Sequence, residues 1–301
     1  MAQTTKTIAF FGLGSMGRPM AANLAKAQFA VRGYDVAPSA RETFVALAPQ
    51  ATAADSIEAA AQGADALVLM VVNADQAESV LFEKGALEAS APGAIVVVMA
   101  TCAPKRIEEM AARVVASGRR FVDAPVSGGV VGAEKGALTI MVGAEDAIFA
   151  AAKPLLGAMG DKLFHVGARP GQGAMVKTIN QHLAGVHIAA AAEAMALAEK
   201  AGVDGKLFLD IFGGSAAGSW MLSNRGPRMI EDNPTVASAI DIFVKDLGIV
   251  MDAGRAQKAA LPIAAAALQM FLSASANGYG GMDDSQVVRV YRALNGANTA
   301  K

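Results

Sequence analysis

One seven-residue stretch, Phe11-Gly12-Leu13-Gly14-Ser15-Met16-Gly17, constrains this chain more than any other. It follows an apolar run, Thr7-Ile8-Ala9-Phe10-Phe11, and opens a stretch that reads as a helix through Ala27. A strand, a tight glycine turn and a helix N-terminus together form a seat for the pyrophosphate of a dinucleotide. Gly12 permits the turn, Gly14 lets the backbone approach the phosphates, and Gly17 lets helix and strand pack closely. The first free N–H groups of the helix and its dipole then favour the negative charge, and Leu13, Ser15 and Met16 join the three glycines as expected cofactor-binding residues. The competing reading is a plain glycine-rich turn.

Alternation of strand and helix continues through the first half. Apolar runs at 6–11, 29–34, 65–72 and 94–99 read as strands, and the near-continuous 65–72 run is the pattern of a parallel strand buried on both faces. Helices are expected at 15–27, 39–48, 55–62, 76–81 and 104–117 between them. Three further short strands follow near 120–123, 137–142 and 162–166, with a helix at 145–158. Past Gly171-Gln172-Gly173 the character changes. A helix over 172–201 is interrupted by nothing stronger than Gly185, and only helices follow, near 204–213, 218–230, 237–257, 262–276 and 284–294. The expectation is an α/β chain: a Rossmann-type doubly wound sheet over residues 1–166, then an all-helical domain over 167–301 for substrate and dimerisation.

Composition narrows the class. Hydrophobic residues are 53% and charged residues 18% of 301, enough for a sizeable core, and a net charge of −1 exerts no general pull on nucleic acid or anionic membrane. Charged residues or glycine interrupt each apolar helix short of a membrane span. The single cysteine, Cys102, suits a reducing compartment, and the N-terminus runs into a strand without a signal peptide, so a cytoplasmic location is expected. His165, His182 and His187 show no metal spacing.

Candidate chemistry lies at the strand ends. Asp35 closes the second strand 18 positions after Gly17, where a carboxylate takes the ribose hydroxyls of NAD and repels the extra phosphate of NADP. Alternatively it caps the turn before Pro38. Val71 and Val72 end the 65–72 strand. Thr101 follows the 94–99 strand and either contacts the cofactor or caps the helix begun by Pro104. Phe121-Val122-Asp123-Ala124-Pro125-Val126-Ser127-Gly128-Gly129 runs from strand into a glycine turn. There the Ser127 hydroxyl and the N–H groups of Gly128 and Gly129 can hold a carboxylate, or the glycines merely turn the chain. Lys177 sits among apolar residues on the long helix, either desolvated and suited to proton exchange or snorkelling to water. Asn180 and Gln181 follow one turn later.

Four ordered motifs carry a family resemblance across essentially the whole chain: the glycine turn, Phe121–Gly129, Gly173-x-x-x-Lys177 with Asn180-Gln181, and Val244-Lys245-Asp246-Leu247. Together they resemble the β-hydroxyacid dehydrogenases, the family of 3-hydroxyisobutyrate dehydrogenase and tartronate semialdehyde reductase. The resemblance implies that Lys177 is the catalytic acid/base and that Ser127, Gly128 and Gly129 hold the substrate carboxylate. It also implies that Lys245 reaches the cofactor and Asp246 supports the site. Many members carry asparagine four positions after the lysine; this chain has Gln181, so substrate contact falls to Gln181 or to Asn180. Ser219-Trp220-Met221, Asn224-Arg225, the stretch 239–248 and Asp283-Asp284-Ser285 are similar to the L-threonate dehydrogenase branch. That implies NAD-dependent oxidation of the C2 hydroxyl of a four-carbon sugar acid, with Ser219, Trp220, Asn224 or Ser285 available to its hydroxyls.

The expected function is therefore NAD-dependent oxidation of a small hydroxy acid, L-threonate first, with 3-hydroxyisobutyrate oxidation or tartronate semialdehyde reduction as the alternatives. A methyltransferase using S-adenosylmethionine also places a glycine turn after its first strand; the all-helical second half argues against it. Family resemblance implies a homodimer or homotetramer through the helical half.

Overall fold

The computed structural model describes residues 6–296. Two compact units divide the chain, Met1–Lys177 and Thr178–Lys301.

The first unit is a sheet with helices on both faces. Its strands are β1 (Thr7–Phe11), β2 (Ala30–Tyr34), β3 (Thr52–Ala53), β4 (Ala66–Leu69), β5 (Ile95–Val98), β6 (Arg120–Asp123), β7 (Val126–Ser127), β8 (Thr139–Gly143) and β9 (Lys162–Gly167). The helices between them are α1 (Gly17–Lys26), α2 (Pro38–Leu47), α3 (Ile57–Ala61), α4 (Ala74–Glu78), α5 (Ala86–Ala89), α6 (Pro104–Ala116), α7 (Gly129–Lys135) and α8 (Asp146–Gly157). The sheet runs β3-β2-β1-β4-β5-β6-β8, with β7 and β9 also paired to β8. From β1 the chain first winds outward through β2 and β3, then returns to β4 on the other side of β1. The order thus reverses at β1/β4, the crevice where open α/β sheets bind ligands.

Side chains sort by the period of two. Ile8, Phe10, Val68 and Val97 enter one core with Met20 and Leu24 of α1, whereas Ala9, Phe11, Leu67, Leu69, Val96 and Val98 enter the other with Ile107, Met110 and Val114 of α6. Burial on both faces is why β4 and β5 carry uninterrupted apolar sequence.

Several sequence expectations shift. The strand expected over 65–72 ends at Leu69, so Val71 and Val72 lie beyond it. The helix expected at 76–81 starts at Ala74, capped by Asn73, and continues as a π-helical turn over Ser79–Glu83. β3, β7, α5 and α7 are too short for periodicity to register. β8 runs antiparallel to β6 and β7, so the sheet is mixed at that end. Ala124-Pro125 bends the chain between β6 and β7, and both antiparallel partners of β8 come from this one broken strand.

The long helix α9 (Gln172–Lys200) crosses from the first unit into the second. Sequence reading put the boundary at 166/167; the compact units part at Lys177, because the first turn of α9 is bonded to β6. The second unit continues with α10 (Gly205–Phe212), α11 (Trp220–Met229), α12 (Ile240–Ala256), α13 (Pro262–Ala274) and α14 (Val288–Leu294). Its core joins Ile188, Met195, Phe243, Leu247, Phe271 and Val287, with the Phe243 and Phe271 rings stacked at 5.2 Å. Gly185 is where α12 presses on α9: a Cβ there would stand 2.8 Å from Leu247 Cδ2. No helix among the described residues is long and apolar enough to cross a membrane.

Candidate active site

The glycine turn has three steric environments. Gly12 has φ +92°, and a Cβ on it would lie 2.4 Å from the Met70 carbonyl oxygen. A Cβ on Gly17 would lie 1.8 Å from the Gly12 oxygen, so α1 meets the end of β1 backbone to backbone. A Cβ on Gly14 would meet nothing within 4 Å. The turn is therefore closed at Gly12 and Gly17 and open at Gly14, and the open position is a cradle in which a bulky group fits. Leu13 N–H is not free for a ligand: it donates to Asp35 Oδ2 (2.8 Å). Ser15 and Met16 N–H find no backbone partner among the described residues.

Asp35 also accepts Ala37 N–H on Oδ1 (2.9 Å), and its carbonyl oxygen accepts from Arg41 Nη1 (2.6 Å). The carboxylate thus latches the glycine turn and caps the entry to α2. Each oxygen keeps a lone pair for a ribose hydroxyl. Met70 N–H bonds to the Phe11 carbonyl, Val71 is half-buried, and Val72 is 50% exposed with its N–H donated to Gln76 Oε1 (3.0 Å). Thr101 is half-buried, and Ala103 occupies the N-cap position of α6.

Ser127 ends β7, and Gly128 and Gly129 follow it at once. Gly128 (φ +127°) and Gly129 (φ +62°) bring β7 directly into α7, and a Cβ on Gly129 would meet nothing within 4 Å.

Lys177 is 7% exposed. Its helix is pressed onto the sheet: a Cβ on Gly173 would stand 2.5 Å from the Met141 carbonyl and 3.0 Å from Asp123 Oδ2. Four residues on, Lys177 projects from the same helical face, about 6 Å further along the axis. Ala174, on the adjoining face, enters the core beside Val98, Ala100 and Cys102. Lys177 is thus a buried residue on a helix whose first turn is pressed onto the end of β6.

Sequence gives Asp123 no role beyond its place in the Phe121–Gly129 stretch. It is 1% exposed; Oδ2 accepts Gly171 N–H and Ala174 N–H, both at 2.9 Å. Burial pushes its carboxyl up to about 7, against the lowering effect of those N–H donors. A lone acid at a strand end gives no sequence signal of what it will cap.

In the helical unit, Asp246 is 2% exposed and holds two partners: Lys245 Nζ at 2.6 Å and Gln181 Nε2 at 2.5 Å. Gln181 Oε1 in turn accepts from Asn180 Nδ2 (2.9 Å). Lys245, Asp246, Gln181 and Asn180 therefore form one connected polar group. The residues of the narrower resemblance are mostly structural. Ser219 caps α11 through Leu222 N–H (3.0 Å), Asn224 Oδ1 accepts Arg225 Nη1 (2.6 Å), and Ser285 is wholly buried. Arg225 grips Asp284 with two bonds, at 3.0 and 2.9 Å. Of the four candidate hydroxyl contacts only Trp220 is open, at 55% exposure. Among the described residues no cluster of three or more His, Cys, Asp or Glu side chains is arranged to hold a metal ion.

Two family models match. Residues 7–167 match the NAD binding domain of 6-phosphogluconate dehydrogenase, and residues 171–291 the NAD-binding domain of NADP-dependent 3-hydroxyisobutyrate dehydrogenase. The chain belongs to the 3-hydroxyisobutyrate dehydrogenase family. It is 43% identical to L-threonate dehydrogenase of Cupriavidus necator, over 96% of this chain and 97% of that protein. With L-threonate dehydrogenase of Escherichia coli K12 it shares 41% identity over 95% of each. A crystal structure described as 3-hydroxyisobutyrate dehydrogenase from Salmonella typhimurium superimposes with a TM-score of 0.89 at 42% identity, covering 94% of this chain and 99% of that one. As a member of this family the protein is an NAD-binding hydroxy acid dehydrogenase, which sets aside the methyltransferase alternative.

Proposed function

We propose that this protein oxidises L-threonate at C2 to the 2-oxo acid, with Lys177 as the acid/base. The carrying observation is the placement of Lys177: 7% exposed, one turn beyond a glycine that presses its helix onto the C-terminal edge of the sheet. In its neutral form the amine accepts the proton of the C2 hydroxyl. Bound NAD supplies the acceptor for the hydride that leaves the same carbon. The open cradle at Gly14, the N–H groups of Ser15 and Met16, and Asp35 are the groups suited to the dinucleotide. Val71, Val72 and Thr101 flank its path, and Lys245, steadied by Asp246, is assigned to it from the resemblance. Ser127 with Gly128 and Gly129 is assigned to the substrate carboxylate, which fixes the carbon presented for reaction. Gln181 is braced by Asp246 and Asn180 by Gln181, and both are assigned to the substrate side.

L-Threonate is favoured over other hydroxy acids by identities of 41–43% to proteins bearing that activity in their names. The second reading, 3-hydroxyisobutyrate, is favoured by the Salmonella structure. A panel of L-threonate, 3-hydroxyisobutyrate and tartronate semialdehyde with NAD(H) and NADP(H), followed at the NADH absorbance band, separates the two. The highest kcat/KM on 3-hydroxyisobutyrate would refute the first. Lys177→Ala is expected to lower kcat at least about 1,000-fold while NADH affinity stays within about twofold; turnover near the wild-type rate removes Lys177 from the reaction. We also infer a homodimer or homotetramer through the helical unit, where Leu197 and Ile263 are 65% and 64% exposed. Light scattering on the purified protein tests it. Cytoplasmic location is favoured by the single cysteine, Cys102, which is buried and allows no disulfide within the chain.

A further inference from the structure

We propose that Asp123 is a positioning residue for the reaction: its carboxylate fixes the start of α9 on the end of β6 and thereby sets the height of Lys177 above the sheet edge. The inference rests on the reading of Lys177 as the acid/base.

Three observations converge. First, the bonds are specific to the helix start. Gly171 is the residue before α9 and Ala174 lies in its first turn, and both donate N–H to one oxygen, Asp123 Oδ2, at 2.9 Å. These are N–H groups that no intrahelical carbonyl can satisfy, and a buried carboxylate is a strong acceptor for them. Secondly, the fit has no slack. A Cβ on Gly143 would stand 2.7 Å from the Arg169 carbonyl and 2.9 Å from Gly173 N, and a Cβ on Gly173 would stand 3.0 Å from both Asp123 O and Oδ2. Two glycines are thus required for the carboxylate to be grasped by the helix at this distance. Thirdly, Asp123 is joined to both halves of the proposed chemistry. Four residues after it comes Ser127, and one turn after Gly173 comes Lys177. Its other oxygen, Oδ1, accepts nothing among the described residues, so its hydrogen bonds run to the backbone at the start of α9.

A misplacement of about 1 Å at a reacting group is worth about 100-fold in rate. The length of the side chain is therefore what matters, and two variants that both keep an acceptor separate length from charge. Asp123→Asn keeps the length, and its amide oxygen accepts the same two N–H groups. Asp123→Glu keeps the charge but adds a methylene where no room exists. With the hydroxy acid turned over fastest in the panel, Asp123→Glu is expected to lose at least about 100-fold in kcat. KM should stay within threefold of wild type and NADH affinity within twofold. Asp123→Asn is expected to keep kcat within tenfold. The proposal is overturned if Asp123→Glu retains kcat within threefold, if Asp123→Asn falls as far as Asp123→Glu, or if NADH affinity falls with kcat in both, since the last is loss of the unit rather than of alignment. Lys177→Ala measured alongside distinguishes the failures. If it remains active, the reading of Lys177 has failed; if it is inactive while Asp123→Glu works, only the positioning role has.

Discussion

Replacing Gly14 by alanine separates cofactor binding from folding more cleanly than any other change in the glycine turn. A methyl at Gly12 would stand 2.4 Å from a carbonyl oxygen on a backbone with φ +92°, and one at Gly17 would stand 1.8 Å from another. Both changes would displace backbone, and a loss of binding would say nothing about the phosphates. At Gly14 the methyl meets nothing within 4 Å, and φ is not in the left-handed region. Stability should therefore change by less than about 1 kcal/mol, with any gain coming from the stiffer unfolded chain. The same methyl fills the space through which a pyrophosphate approaches Ser15 N–H and Met16 N–H. Each such bond to a charged oxygen contributes about 1.5–3 kcal/mol. Losing both costs about 3–6 kcal/mol, or at least about 100-fold in affinity. NADH fluorescence titration should show that loss, with a thermal unfolding midpoint within about 3 °C of wild type. An affinity within threefold of wild type would refute the reasoning, because the cradle would then not be where the phosphates sit.

Two other outcomes follow from buried charge. The Asp123 carboxyl titrates near 7 when folded and at its ordinary 3.8 when unfolded, so between those values the folded state binds the extra proton and loses stability as pH rises. From pH 5.5 to 7.5 this group alone should remove about 2 kcal/mol, a slope that Asp123→Asn lacks; equal slopes in urea unfolding would contradict it. In the helical unit, Asp284 has no exposure, burial holds its carboxyl above the usual range, and Arg225 opposes that shift. Asp284→Asn leaves the buried guanidinium uncompensated and should destabilise by about 3–5 kcal/mol in denaturant unfolding; a change below about 1 kcal/mol would show that the pair is solvated.

Sequence alone determined the elements that repeat a local rule. The glycine turn, the buried strands β4 and β5 and the run of helices after Gly173 each follow from spacing and composition, because periodicity and glycine sterics act over a few residues. The family was legible for the same reason, being carried by short contiguous motifs. Short elements escaped: α7 has seven residues and sits directly on the Gly128-Gly129 pair, so glycines that read as a turn prove to be a helix entry. Tertiary structure alone decided which polar residues are buried and what they touch. It put Ser219, Asn224 and Ser285 to work within the helical unit. It kept Lys177 from water, and it brought Asp123 to a helix start 48 residues away. No local pattern encodes that last meeting, since the free energy of a buried carboxylate depends on which N–H groups the rest of the fold delivers to it.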